Sequence, residues 1–197
     1  LAQPKDIPDF ARKIHVEASR MIQLVNDILQ LSNLDNVSEA GTPLTMETVD
    51  LLEVARECVE RQKVNAKRSF ISLTYLGESA PVLGSRSLLD ELCQNLCDNA
   101  IRYNRPGGKV QIITACTRDG HCSLTVKDNG IGIPKEAQSS VFERFYRVDK
   151  SRSKATGGTG LGLAIVKHIA RIHNARIKLE SEIGEGTTIT VLFETAH

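Results

Sequence analysis

The sequence predicts an α+β protein, a two-layer sandwich of strands and helices preceded by one long helix. Residues 1 to 35 repeat apolar side chains at seven-residue spacing, whereas residues 45 to 195 alternate strand-like and helix-like runs. Hydrophobic residues make up 41% of the 197, enough for a real core without metal or disulfide support. Charged residues supply 25% and the net charge is +1, so no global field draws the chain to nucleic acid or to a membrane surface. No apolar run approaches the roughly 18 to 20 residues that would cross a bilayer. Neither nucleic acid nor direct membrane contact is therefore expected.

Ile7, Ile14, Met21 and Ile28 recur every seventh position. Ala11, Ala18 and Val25 follow four residues after the first three, and Leu24 and Leu31 widen the stripe. Pro8 suits a helix start and Asn33 to Gly41 a polar stop, which predicts one helix from about 8 to 35. With no second helix in the chain to cover it, the stripe should pack against another protomer. Thr45 to Val49 reads as a strand, Asp50 as the N-cap of a helix running to Lys67, and Phe70 to Leu76 as a second strand. Ser85 can cap a third helix. Strands follow at Lys109 to Thr117 and Cys122 to Lys127, joined by a hairpin turn at Asp119-Gly120. A helix from Gly160 to His173 precedes strands Ala175 to Ser181 and Thr187 to Phe193, around the turn Gly184-Glu185-Gly186.

Five cysteines form no even framework and no C-x-x-C pair, so reduced thiols are expected, although Cys116 and Cys122 flank the hairpin turn and could meet across it. The histidines do not fall at zinc-ligand spacing with the cysteines, and there is no signal peptide or repeat.

The third helix carries QNLCDNAIRYN, in which Asn95 and Asn99 share one face at i and i+4. Both amide oxygens can turn toward a single magnesium ion, a hard cation that needs few protein ligands when a triphosphate brings the charge. Alternatively they bond within their own helix. One turn on, Arg102 and Tyr103 can reach phosphate and ribose, or form a solvated charge beside a core tyrosine. Asp128 precedes Asn129-Gly130-Ile131-Gly132. Its carboxylate can accept from an adenine amino group, with Gly130 and Gly132 letting the backbone lie against the base, or it can close an Asx turn. FERFYRVD sets Phe142, Phe145 and Tyr146 at helical spacing, a packing pattern, and leads into a basic loop with Arg147, Lys150, Arg152 and Lys154. That loop either closes over triphosphate or is plain solvated surface. Gly157, Gly158, Gly160 and Gly162, with Thr159, form a second phosphate cradle before Leu161 and Leu163 start an apolar helix face.

In this order, QNLCDNAIRYN, DNGIGIP, FERFYRVD and GGTGLGLAIVKHIARIHNA resemble the N, G1, F and G2 boxes of the sensor histidine kinases, within the wider ATPase family that includes DNA gyrase and the heat-shock chaperones. Gly184-Glu185-Gly186-Thr187-Thr188 resembles the third glycine box. The resemblance implies Mg2+ on Asn99 with Asn95 assisting, and ATP held by these residues together with Ile133, Tyr146, Arg147, Lys150, Gly158 and Thr187. Where Arg102 stands the family more often has lysine. The resemblance also implies that residues 1–38 are the second helix of a dimerisation and phosphotransfer domain, part of a dimeric four-helix bundle, and that residues 39–197 are the catalytic ATP-binding domain.

The acceptor string H-E-x-R/K-T-P is absent; His15 lacks the proline and falls on the wrong helix. The chain is therefore expected to be a fragment that starts between the two bundle helices and sends the γ-phosphate to a histidine elsewhere. Relay to a response regulator receiver domain, homodimerisation through the N-terminal helix and a cytoplasmic place below a membrane-anchored sensor are further expectations. A serine kinase or chaperone-like ATPase of the same superfamily, and a dimerising ATP-binding module without transfer, are the rivals. The long amphipathic helix argues against the first pair.

Overall fold

The computed structural model describes residues 7–40, 44–117, 120–148 and 158–194. Its elements are α1 (Ile7–Ala40), β1 (Glu47–Asp50), α2 (Leu51–Arg68), β2 (Ser72–Gly77), β3 (Pro81–Gly84), α3 (Arg86–Arg102), β4 (Lys109–Cys116), β5 (His121–Asp128), a 3-10 turn (Lys135–Ala137), α4 (Gly162–Ile172), β6 (Arg176–Glu182) and β7 (Gly186–Glu194). One sheet has the order β2-β4-β5-β7-β6, parallel between β2 and β4 and antiparallel elsewhere; β1 and β3 form a separate antiparallel pair. Alternation along β4, β5 and β7 buries Val110, Ile112, Leu124, Val126, Val191 and Phe193 on one face, against α2, α3 and α4. This is the expected two-layer α+β arrangement, preceded by the long helix.

Helix α1 runs further than expected, and its apolar side chains divide between two fates. Ile14, Met21, Val25 and Ile28 are exposed, whereas Leu31 and Leu34 are buried in the domain core and Leu24 packs against it. The lower part of the stripe thus packs within the same chain, where α1 lies against α4. Arg144 fastens the lower end, donating to both oxygens of Asp35 at 2.8 Å.

Asp50 caps α2 as expected, and it does more. Its Oδ1 accepts from the backbone N–H groups of Leu52 at 2.9 Å and Ala80 at 2.8 Å, while Oδ2 accepts from the Ser79 hydroxyl at 2.7 Å. Burial alone would raise its pKa, but these three hydrogen bonds outweigh it and hold the carboxyl below 3.8.

Four local expectations need correction. Ser85 precedes α3 but makes no side-chain cap; instead its N–H donates to His173 Nε2 at 3.0 Å, and its hydroxyl pairs with Ser87. FERFYRVD does not form a packed helical face, since Phe145 takes φ +62° and is 57% exposed, its N–H turned to the Gly160 carbonyl. Gly160 sits at φ +77°, so α4 begins two residues later than expected. Cys116 and Cys122, direct partners across β4 and β5, are joined in a disulfide, whereas Cys58, Cys93 and Cys97 are free and buried. The hairpin brings the first pair face to face, which spacing alone left open. One strand, β3, goes unanticipated because it is four residues long and opens on Pro81.

Candidate functional site

A cavity of about 1020 Å3 opens between α1, α3, α4 and the glycine-rich loops. Helix α3 supplies one wall, and its 3.6-residue period brings Glu91, Asn95, Asn99 and Arg102 onto the lining, followed by Tyr103. Asn95 donates its Nδ2 to the Glu91 carbonyl at 3.1 Å, which leaves Oδ1 as the end that faces α4. A side chain at Gly162 would place its first carbon 2.9 Å from Asn95 Oδ1 and 3.5 Å from Asn99 Nδ2. Only hydrogen there lets the start of α4 lie against both amides. At Gly158 the same carbon would stand 3.0 Å from Arg102 Nη1 and 3.1 Å from the Tyr103 hydroxyl. The glycine segment and α3 are thus closely apposed, with the N-terminal end of α4 facing the same cavity.

The opposite end is built by β5 and β7, where Asp128 and Thr187 are register partners. Asp128 Oδ1 accepts from the N–H groups of Gly130 at 2.8 Å and Thr187 at 3.3 Å. Burial pushes its pKa up, and those two bonds only partly oppose this. The DNGIGIP loop is pinned beside it: Ile131 N–H donates to the Tyr103 carbonyl at 3.1 Å, and Ile133 N–H to Ser181 Oγ at 2.8 Å. Ser181 Oγ in turn lies 2.9 Å from Thr187 Oγ1. Gly132 packs so tightly on the Glu182 carbonyl that no side chain fits.

Charge is divided across the cavity. Arg147 lines it, its pKa lowered first by burial and further by the neighbouring charges of Arg20 and Arg102, against the pull of Tyr103. Facing these cations, Asp27 of α1 accepts from Thr159 Oγ1 at 2.6 Å and from Gln23 Nε2 at 2.7 Å. Glu91 lies between, its pKa pushed to about 7 by burial and by the Asp27 charge, against a hydrogen bond from Gln30. Its Oε1 has no hydrogen-bond partner among the described residues.

Of the residues singled out from sequence, Asn95, Asn99, Arg102, Tyr103, Asp128, Gly132 and Ile133 line this one cavity. So do Tyr146, Arg147, Gly158, Thr159, Gly160, Gly162, Leu163 and Thr187. Gly130 lies behind Asp128 against the Tyr103 carbonyl, and Leu161 is wholly buried in the core, away from the lining. Lys150 lies outside the described residues. Sequence reasoning missed Gln23, Asp27 and Gln30 from α1, together with Glu91. Gln23, Asp27 and Gln30 recur at four- and three-residue intervals, a polar stripe in helical phase that offered a signal beside the apolar one.

Residues 84–197 match the family described as histidine kinase-, DNA gyrase B- and HSP90-like ATPases, and the chain belongs to that family. Within it, the sequence stands among the sensor histidine kinases. It is 43% identical over 192 residues to the sensor-like histidine kinase SenX3 of Mycolicibacterium smegmatis, matching 95% of this chain and 48% of that protein. The chain thus spans about half the length of that curated relative. Among solved structures, the mycobacterial sensor histidine kinase MprB matches with a TM-score of 0.66 at 32% identity, over 76% of this chain and 97% of that one. The histidine kinase ThkA, solved in complex with the response regulator protein TrrA, shares the fold at a TM-score of 0.74 and 22% identity, covering 100% of this chain and 53% of that one. No helix among the described residues is long and apolar enough to cross a membrane.

Proposed function

We propose that this chain is the kinase core of a two-component sensor histidine kinase, which binds ATP with Mg2+ and directs the γ-phosphate to a histidine outside the chain. The observation that carries the reading is the close approach of Gly162 to Asn95 and Asn99, two neutral amides beside the start of α4 in a cavity that Asp128 also lines. The donor set suits magnesium, since amide oxygens are hard ligands. When bound, that ion neutralises phosphate charge and aligns the γ-phosphate for in-line transfer.

The chain's own residues do the rest. Asp128 turns its second oxygen to the adenine amino group, and Thr187 supports that carboxylate through its N–H. Gly158, Gly160 and Gly162 let backbone N–H groups approach the phosphates, with Arg102 and Arg147 compensating their charge. Tyr103 reaches the ribose and Tyr146 lines the neighbouring wall. The exposed apolar half of α1 supports homodimerisation, and the relatives' sensor kinase character supports relay to a receiver domain on the cytoplasmic side of a membrane.

Incubation with γ-labelled ATP tests the reading. The chain alone should bind ATP but acquire no acid-labile, base-stable label, while a separate helical hairpin bearing the H-E-x-R/K-T-P histidine should acquire it. Absence of label on the added hairpin, or stoichiometric label on His15, would overturn the assignment.

A further inference from the structure

We propose that Ser181 is a positioning residue that fixes the Thr187 hydroxyl as a hydrogen-bond acceptor toward the base, and so favours a purine with an amino group at C6 over one with a carbonyl. The proposal rests on the nucleotide reading of the cavity.

Ser181, Thr187 and Asp128 stand in one row across β6, β7 and β5, each the register partner of the next. Thr187 and Asp128 line the cavity, and Ser181 stands on the far side of Thr187, one strand further from Asp128. The Ser181 hydroxyl has three neighbours, whose chemistry decides where its proton goes. The Ile133 N–H can only donate, and it lies 2.8 Å from Ser181 Oγ. The Gly186 carbonyl can only accept, and it also stands 2.8 Å away, a separation that two oxygens hold with a proton between them. The single serine proton is therefore committed to Gly186. The third neighbour, Thr187 Oγ1 at 2.9 Å, must then supply the proton of its own bond to Ser181. Thr187 is left with lone pairs alone to offer elsewhere.

The arrangement is clamped from the other side. Gln138 Nε2 donates to the Ile133 carbonyl at 3.0 Å and to the Ser181 carbonyl at 2.9 Å, so both of its protons tie the DNGIGIP loop to β6. The same row supplies a second acceptor. Asp128 receives the Gly130 and Thr187 N–H groups on Oδ1, which leaves Oδ2. Two acceptors at one end of the cavity suit the C6 amino group of adenine, whereas a C6 carbonyl would meet lone pairs from both. Without the serine hydroxyl, Thr187 is free to turn its own proton toward such a carbonyl.

The test compares ATP with inosine triphosphate, which carries a carbonyl at C6, each competing in magnesium against a fluorescent ribose-labelled ATP on the whole chain. Wild type should favour ATP. Ser181→Ala should narrow that preference roughly fivefold, mainly by tighter binding of inosine triphosphate, while Ser181→Thr keeps the hydroxyl and should stay within about twofold of wild type. In a Thr187→Val background, Ser181→Ala should have no further effect. Ser181→Cys, a weak donor, serves if the alanine variant fails to fold. An unchanged preference in the variant that lacks the hydroxyl would overturn the proposal, as would equal losses for both nucleotides. So would a wild-type chain that takes both nucleotides equally, a preference that Ser181→Thr narrows as much as Ser181→Ala, or an effect that persists in Thr187→Val. A wild-type chain that binds neither nucleotide would instead overturn the nucleotide reading, and this proposal with it.

Discussion

The Thr159 hydroxyl donates to Asp27 at 2.6 Å, joining the glycine-rich turn before α4 to the long N-terminal helix across 132 residues of chain. A residue of the glycine-rich turn that lines the cavity is therefore held by a carboxylate from the N-terminal helix. Asp27 is only 7% exposed, so its charge acts in a screened-off setting.

Replacing that charge should ease nucleotide entry. A unit charge about 4 Å from phosphate repels it by about 1 kcal/mol at the dielectric of bulk water and about 4 kcal/mol at an effective dielectric of about 20, so its removal is worth at least roughly fivefold in affinity. Asp27→Asn should accordingly bind ATP several-fold more tightly and lose amide-exchange protection in the lower half of α1. Calorimetry and hydrogen exchange together check this, and weaker ATP binding would contradict it.

Adenine recognition should depend on Asp128. Asparagine keeps Oδ1 for the Gly130 and Thr187 N–H groups but turns an NH2 toward the base. A hydrogen bond to a charged group is worth about 1.5 to 3 kcal/mol, so Asp128→Asn should lose roughly ten- to a hundredfold in ATP affinity. Wild-type titration behaviour would remove this carboxylate from the site.

Asn99→Ala should weaken only the magnesium-dependent part of binding. The check is ATP affinity measured with magnesium and with excess chelator. Equal loss under both conditions would contradict a ligand role.

Ile14 is 67% exposed on α1, so aspartate there leaves the fold of one chain undisturbed but would bury a charge in any paired stripe. Sedimentation should show a concentration-dependent dimer for the parent chain and a monomer for Ile14→Asp. A strict monomer at high concentration in the parent would sink the dimer assignment.

His173 sets a pH limit. Burial holds its pKa below 6.5, against the hydrogen bond to Ile169, and Nε2 must stay unprotonated to accept from Ser85 N–H. Below 6.5 the unfolded chain binds the proton more readily than the folded one, so this contribution is complete above pH 6.5 and is lost as pH falls through the lowered folded value. Glu91 acts in the opposite sense, since its folded pKa of about 7 makes stability fall as pH rises through the window above 4.5. The difference in melting temperature between wild type and His173→Gln isolates the histidine: it should shrink from pH 8 to pH 5, and a constant gap would refute the assignment.

Much of this was legible because it depends on local order. The i, i+4 asparagines, the glycines before α4 and the Asp50 cap each follow from neighbours a few positions apart, and the structure puts the first two on one cavity and the third on α2. What escaped the sequence was set by distant partners. Ser85 reads as a cap until His173, 88 residues away, takes its N–H. Phe145 reads as core until Gly160 claims its backbone. Leu31 reads as part of a stripe for another protomer until α4 of the same chain packs there, and Asp27 carries no local signal of the bond that Thr159 makes to it.

The register between β5 and β7 also bears on how the molecule comes into being. Strands β4 and β5 pair through a short hairpin, as do β6 and β7, and each can form from sequence neighbours alone. Asp128 meets Thr187 only when the two hairpins join, across 59 residues. During synthesis the Asp128 carboxylate therefore has only the Gly130 N–H until the second hairpin has emerged and supplies Thr187, and assembly of the pocket waits on the least local pairing in the sheet.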